Sequence, residues 1–162
     1  MEQAPPELTP LKQWTQSLTR LQQQEDQPLP PSLLLRAQTQ LQELLGSTPA
    51  VLLHGDLHHG NILSQAEPTP RFLAIDPKGL WGDAAYEVGS YLLNPDQRVR
   101  RCNQLPARLQ HRINLFSEVL QIDAEILKGW GFIQAVLSAC WTYEDHGKVD
   151  RFSLVLAEAF ST

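Results

Sequence analysis

The run His54-Gly55-Asp56-Leu57-His58-His59-Gly60-Asn61, with Ile75-Asp76-Pro77 behind it, decides how the rest of the chain is read. An apolar run, Val51-Leu52-Leu53, leads into His54. A second, Ile62-Leu63, leaves Asn61, and a third, Phe72-Leu73-Ala74-Ile75, delivers Asp76. Short apolar runs punctuated by Gly, Pro and polar residues predict strands, here over 51–53, 61–64 and 71–76, flanking a tight loop. Pro68 and Pro70 keep the intervening connection non-helical. Two carboxylates and a carboxamide are thereby brought to one end of a small β region. Asp and Asn are also turn formers in glycine-containing loops. That accounts for either residue singly, and less easily for both with Asp76 after a strand. A zinc hydrolase is a sharper rival, because His54, His58, His59, Asp56 and Asp76 are all zinc-competent side chains. Against it, Gly55 and Gly60 oppose the helix that a His-x-x-x-His site needs, and no Glu follows His54.

Phosphoryl transfer gives such a set a use. The transferred group carries diffuse negative charge, so catalysis is mainly positioning and neutralisation. One carboxylate orients or accepts the proton of the attacking hydroxyl, while a carboxylate and a carboxamide suit magnesium, a hard cation. The kinase catalytic-loop pattern has a base Asp, four residues, a metal-binding Asn and then a metal-binding Asp beyond a strand. Asp56, Asn61 and Asp76 fill those positions, and His54 takes the place of the leading His.

Leu53-His54-Gly55-Asp56-Leu57-His58-His59-Gly60-Asn61-Ile62-Leu63, then Asp76-Pro77-Lys78-Gly79 and Gly82-Asp83-x-Ala85-Tyr86-Glu87, resemble the aminoglycoside phosphotransferases. Within these kinase-like antibiotic-resistance enzymes they are most similar to the streptomycin 6-kinase and hydroxyurea phosphotransferase branch. The close resemblance covers positions 50–95. It implies transfer of the γ-phosphoryl of ATP to a hydroxyl of a streptomycin-type aminoglycoside, with Asp56 as base and Asn61 and Asp76 holding Mg2+ and, through it, ATP. It also implies supporting roles for His54, Asp83 and Glu87, the last standing where many relatives have Asp. Asp-Pro-Lys-Gly replaces the Asp-Phe-Gly of the prototypic kinase, so the metal ligand is kept and the Phe-based switch is not. Lys78 reads as a surface lysine, with a phosphate contact as the alternative. Asp83 is expected to cap a helix over 84–93.

Working outward, 162 residues suffice for one domain with its own core. Hydrophobic residues make up 42% and the net charge is -5, which opposes a nucleic-acid binder and suits a cationic acceptor. Cys102 and Cys140 have no metal-type spacing, which predicts a reducing, cytoplasmic setting. The N-terminus lacks the pattern of a signal peptide, and no apolar run approaches a membrane span. Apolar periodicity predicts helices over 9–24, 32–45, 106–121, 123–144 and 150–159, with 96–103 as a solvated basic connection. The expected fold is mainly α with a small β region (α+β): two leading helices in 1–50, the loop and metal-strand region in 51–76, and a helical bundle in 82–162.

The run Trp141-Thr142-Tyr143-Glu144-Asp145 puts aromatics beside two carboxylates. Glu144 and Asp145 are candidate partners for a guanidinium, with Trp141 to stack on it. A complete kinase also needs a nucleotide lobe, for which five strands and a helix require on the order of 50 residues or more. Residues 1–50 read instead as helices, with Lys12 the sole lysine before Lys78 and no Gly-rich loop. The expectation is therefore a protein-kinase-like C-terminal lobe, 1–162, without its N-terminal nucleotide lobe. It would be a fragment or a truncated descendant, weakly active or inactive alone, whose uncovered apolar face favours self-association. The alternatives are another small-molecule kinase, of choline, homoserine or sugar type, and a non-catalytic relative that binds a cationic ligand or a partner.

Overall fold

A computed structural model describes residues 4–65, 71–94 and 96–161. Its order is β1 (Thr9–Pro10), α1 (Leu11–Trp14), α2 (Ser17–Gln22), α3 (Pro31–Leu44), β2 (Ala50–Leu53), a 3-10 turn (His59–Asn61), β3 (Ile62–Gln65), β4 (Arg71–Ala74), β5 (Leu80–Asp83), α4 (Tyr86–Leu92), α5 (Asp96–Arg100), α6 (Leu105–Leu120), α7 (Ala124–His146) and α8 (Arg151–Ala159). The chain is mostly helical with two small sheets.

Helix α7 is the axis of the bundle. From Leu127 to Cys140 it is apolar nearly all round, and a helix with no polar stripe must be enclosed by others. Helices α2, α3, α4, α6 and α8 pack around it. Trp130, Phe132, Ile133 and Leu137 are all but inaccessible. The Asp123 carboxylate accepts from Glu125 N–H at 2.7 Å to start the helix, and Gly147, at φ 65°, ends it. Gly129 and Gly131 permit close packing: a Cβ would come 2.7 Å from Leu44 Cδ1 at the first and 2.6 Å from the Phe160 ring at the second.

The leading segment departs from the expected pair of helices. Residues 9–24 form a strand and two short helices, so 1–50 holds three helical pieces. The Thr15 hydroxyl donates to Leu11 O at 3.0 Å, side-chain competition of the kind that closes a helix early. Thr9–Pro10 pairs in parallel with β5 instead. Strand β5 itself was not expected; it lies in a Gly-containing segment to which no element was assigned. It forms the centre of a sheet ordered β1-β5-β2, antiparallel to β2 with Ala50 opposite Asp83 and Leu53 opposite Leu80. The expected solvated connection over 96–103 contains α5, whose Val99 is buried.

Strands β3 and β4 form a separate hairpin, Leu63 opposite Leu73. Phe72 is 76% exposed and Leu73 53% exposed, so this hairpin is bare on both faces. No helix among the described residues is long and apolar enough to cross a membrane.

Candidate functional site

Strand β2 ends at Leu53, and the loop that follows is fixed by backbone geometry few residues tolerate. Gly55 has φ 82°, and a Cβ there would lie 2.7 Å from Leu80 Cγ on β5. Glycine is the residue that fits both demands. Its N–H donates to Glu87 Oε1 of α4 at 2.7 Å, tying the loop to the helical bundle. Burial raises the Glu87 carboxyl above its ordinary range, against the opposing pull of the Gly55 N–H. Its Oε2 is buried without a partner among the described residues.

His54 links the two halves of the site. Asp56 N–H donates to His54 Nδ1 at 3.3 Å, so Nε2 carries the proton and donates to Ile75 O at 2.8 Å. Ile75 N–H reaches Asn61 O at 2.9 Å, and Lys78 N–H reaches His54 O at 2.7 Å. These bonds draw the segment after β4 against the loop after β2. Asp76, well downstream in sequence, is thereby brought to Asp56 and Asn61.

Asn61 Nδ2 donates to the Asp56 backbone carbonyl at 2.9 Å and lies 3.5 Å from Asp56 Oδ2. Its carboxamide oxygen takes no protein donor among the described residues. Asp76 has φ 59°, in the left-handed region that Asp enters more readily than most non-glycine residues. Its side chain is 70% exposed, against 34% for Asp56. Lys78 Nζ reaches Asp76 Oδ2 at 3.1 Å and Asp56 Oδ2 at 3.7 Å, and the hydrogen bond to Asp76 raises the lysine above its ordinary value. His58 Nε2 stands 3.7 Å from Asp56 Oδ1. Among the described residues no three His, Cys, Asp or Glu side chains converge as a metal site. The available donors are one carboxamide oxygen and one exposed carboxylate. That set fits magnesium, which keeps several waters and takes one or two carboxylates plus phosphate oxygens, better than it fits a protein-enclosed ion.

Asp83 does something other than the helix cap expected of it. It is 3% exposed, at the end of β5. Its Oδ2 accepts from Gly46 N–H at 3.2 Å, Ser47 Oγ at 3.2 Å and Thr48 N–H at 3.0 Å, while Oδ1 accepts from Thr48 Oγ1. Ala85 N–H also reaches Oδ1, at 3.3 Å, in the turn before α4. The carboxylate therefore anchors the turn that leads into β2, and so the loop that carries Asp56, to the central strand. Sequence reasoning missed this because the donors lie some 36 positions upstream, just beyond the helix predicted over 32–45.

The aromatic–acidic end of α7 is arranged as follows. Glu144 accepts a two-pronged guanidinium, Arg20 Nε to Oε1 at 2.9 Å and Arg20 Nη2 to Oε2 at 3.1 Å, plus Ser17 Oγ at 2.8 Å. Burial alone would raise the Glu144 carboxyl; Arg20 and Ser17 outweigh it and hold it below the ordinary range. Asp145 is exposed. Trp141 packs at a tilt on Trp14, ring centroids 5.6 Å apart, and Trp14 Nε1 donates to Tyr86 Oη at 2.8 Å. The Tyr143 hydroxyl donates to Asp26. One acid of the pair is thus engaged within the chain and the other faces solvent.

Comparison with known proteins extends the resemblance well beyond positions 50–95. The family model described as aminoglycoside/hydroxyurea antibiotic resistance kinase matches residues 1–146. The chain is 34% identical over 144 residues to a streptomycin 3''-kinase of Klebsiella pneumoniae, covering 87% of this chain and 51% of that protein. It is 33% identical over 118 residues to a streptomycin 6-kinase of Streptomyces glaucescens, covering 72% and 38%. It is also 35% identical over 95 residues to a hydroxyurea phosphotransferase of Kitasatospora aureofaciens, covering 58% and 25%. The chain spans about half, or less, of the length of these relatives. No solved structure gives a significant match.

Proposed function

The chain belongs to the aminoglycoside/hydroxyurea antibiotic resistance kinase family, and we propose that it is the acceptor-side, C-terminal lobe of an ATP-dependent phosphotransferase acting on a hydroxyl of a streptomycin-type aminoglycoside. The observation that carries this reading is the gathering of Asp56, Asn61 and Asp76 by the His54 bridge. Asp56 serves as base: it takes the acceptor's hydroxyl proton as the oxygen bonds to the γ-phosphorus and the bond to ADP breaks. Asn61 Oδ1 and the Asp76 carboxylate would hold magnesium, which when bound would supply neutralisation of phosphate charge. Lys78, beside both acids, adds a cation where the phosphoryl charge develops. His54, Asp83 and Glu87 position the loops.

For the acceptor we propose the C-terminal end of α7, with Asp145 and Trp141. Glu144 joins them by exchanging Arg20 for a guanidinium of the ligand. The two-pronged grip of Glu144 on Arg20 supports this, since it is the geometry a streptomycin guanidino group offers. The lobe assignment rests on the bare β3–β4 hairpin and on relatives about twice as long. A reducing, cytoplasmic setting fits two unpaired cysteines, with burial pushing the Cys140 thiol up to about 12.

Isothermal titration with streptomycin and then Mg-ATP tests the proposal. Streptomycin binding with weak or absent nucleotide binding is expected, along with very low ATP turnover. Absence of streptomycin binding, with binding of choline, homoserine or a sugar, would transfer the reading to another small-molecule kinase. Streptomycin bound identically by wild type and by Asp145→Ala, Trp141→Ala and Glu144→Ala variants would remove the acceptor assignment.

A further inference from the structure

One turn along the loop from Asp56, the chain builds a second polar feature with the opposite charge. His59 stacks on Tyr91 of α4, ring centroids 4.2 Å apart and 24° between planes. The pair borders a cavity of about 480 Å³ whose other polar lining residues are Arg98, Arg108, His111 and Arg112. No acid lines it.

The three arginines do different things. Arg112 is half-buried and spends its donors on the end of α4: Nη1 reaches Leu92 O and Asn94 O, each at 2.9 Å, and Nη2 reaches Tyr91 O at 2.8 Å. These acceptors are neutral carbonyls, so the guanidinium charge stays uncompensated in the cavity wall. Arg98 and Arg108 are exposed and take no carboxylate partner among the described residues. Two arginines elsewhere in the chain are paired with acids, Arg20 with Glu144 and Arg100 with Asp150 at 2.7 Å. A net charge of -5 leaves no shortage of acids to place here. Like charges crowded at one concavity destabilise the fold unless an anion answers them.

We propose that this cavity is a binding site for a multivalent oxyanion of the phosphate class. Arg98 and Arg108 supply the free two-pronged guanidinium donors, and Arg112 supplies a fixed positive wall. A cationic aminoglycoside would be repelled from it, so the site is separate from the proposed acceptor position and does not depend on it.

The test is calorimetric titration of the chain, in low salt without magnesium, with inorganic pyrophosphate and separately with ADP. One equivalent of pyrophosphate is expected to bind, weakened about tenfold by each of Arg98→Ala and Arg108→Ala. Lys78→Met should leave that binding unchanged. ADP binding no tighter than pyrophosphate would mark a free oxyanion as the ligand. Tighter ADP binding, still lost in the double arginine variant, would mark a nucleotide-borne phosphate. No binding, binding unaffected in the double variant with its circular dichroism intact, or binding lost in Lys78→Met would each overturn the site.

Discussion

The ammonium of Lys78 lies 3.1 Å from Asp76 Oδ2, in the space between the proposed metal ligand and the proposed base. Lys78 N–H is held by His54 O at 2.7 Å, so the backbone fixes where the side chain starts. A cation at this position competes with magnesium for the same carboxylate until phosphate oxygens arrive to engage it. Lys78→Met should therefore raise the affinity for free Mg2+ roughly fivefold, the effect of one partly solvated charge. It should also lower phosphoryl transfer wherever the chain is active with a nucleotide lobe. Chemical-shift titration of the Asp76 amide with Mg2+ reads the first effect. Unchanged Mg2+ affinity would mean that Lys78 is a surface lysine.

Asp83 offers a separate test of how the loop that carries Asp56 is held. Removing its carboxylate leaves the N–H groups of Gly46, Thr48 and Ala85 and the hydroxyls of Ser47 and Thr48 without their common acceptor. Asp83→Ala should cost about 3–4 kcal/mol, from several charge-assisted bonds lost at a buried site. Urea denaturation gives the value directly. A loss under about 1 kcal/mol, the scale of a single helix cap, would return Asp83 to the simpler role read from sequence.

The contrast between these residues shows what sequence made legible. Asp56, Asn61 and Asp76 could be singled out because the chemistry proposed for them depends on residue type at fixed spacing. Helices α3, α6 and α8 were readable because each shows a sustained apolar period, and α7 because its apolar run is far too long for a strand. Strand β5 was not, since four residues including Gly82 carry too little pattern and the strand exists through its pairing with β1 and β2. The break between α1 and α2 was hidden for a related reason: Leu11, Trp14, Leu18 and Leu21 keep helical spacing across it, while Thr15 ends the first piece by a local hydrogen bond. Arg20, the partner of Glu144, lies 124 positions away, beyond the reach of any local pattern.

That Arg20–Glu144 pair carries a pH signature. The Glu144 carboxyl sits below its ordinary 4.5 in the folded chain, so the folded state binds its proton more weakly than the unfolded state does. The stabilisation is fully present above the unfolded value and is lost as pH falls through the folded one. Both side chains are partly solvated, at 56% and 24% exposure, which limits the contribution to about 1 kcal/mol or less. Glu144→Gln should therefore lower Tm slightly at pH 7 and make no difference near pH 3, measured by calorimetry. An equal deficit at both pH values would assign the loss to packing instead of charge.

The β3–β4 hairpin supports the last expectation. Leu63, Phe72, Leu73 and Ile75 are each between 39% and 76% exposed, and Leu52 on the neighbouring sheet is 65% exposed. Apolar residues scattered singly on a surface are ordinary, but a run of them on a two-stranded ribbon is not, because such a ribbon has little stability of its own. On the lobe reading proposed above, this is the face a nucleotide lobe would cover. With that face bare, these 162 residues should self-associate through it. Phe72→Glu places a charge at the most exposed of these positions, where substitution should change folding stability by no more than about 0.5 kcal/mol. Sedimentation velocity across a concentration series should show wild type moving to larger species while Phe72→Glu stays monomeric. Wild type that remains monomeric at every concentration would mean that the bare hairpin is tolerated in water. Association that persists unchanged in Phe72→Glu would locate the contact on another face.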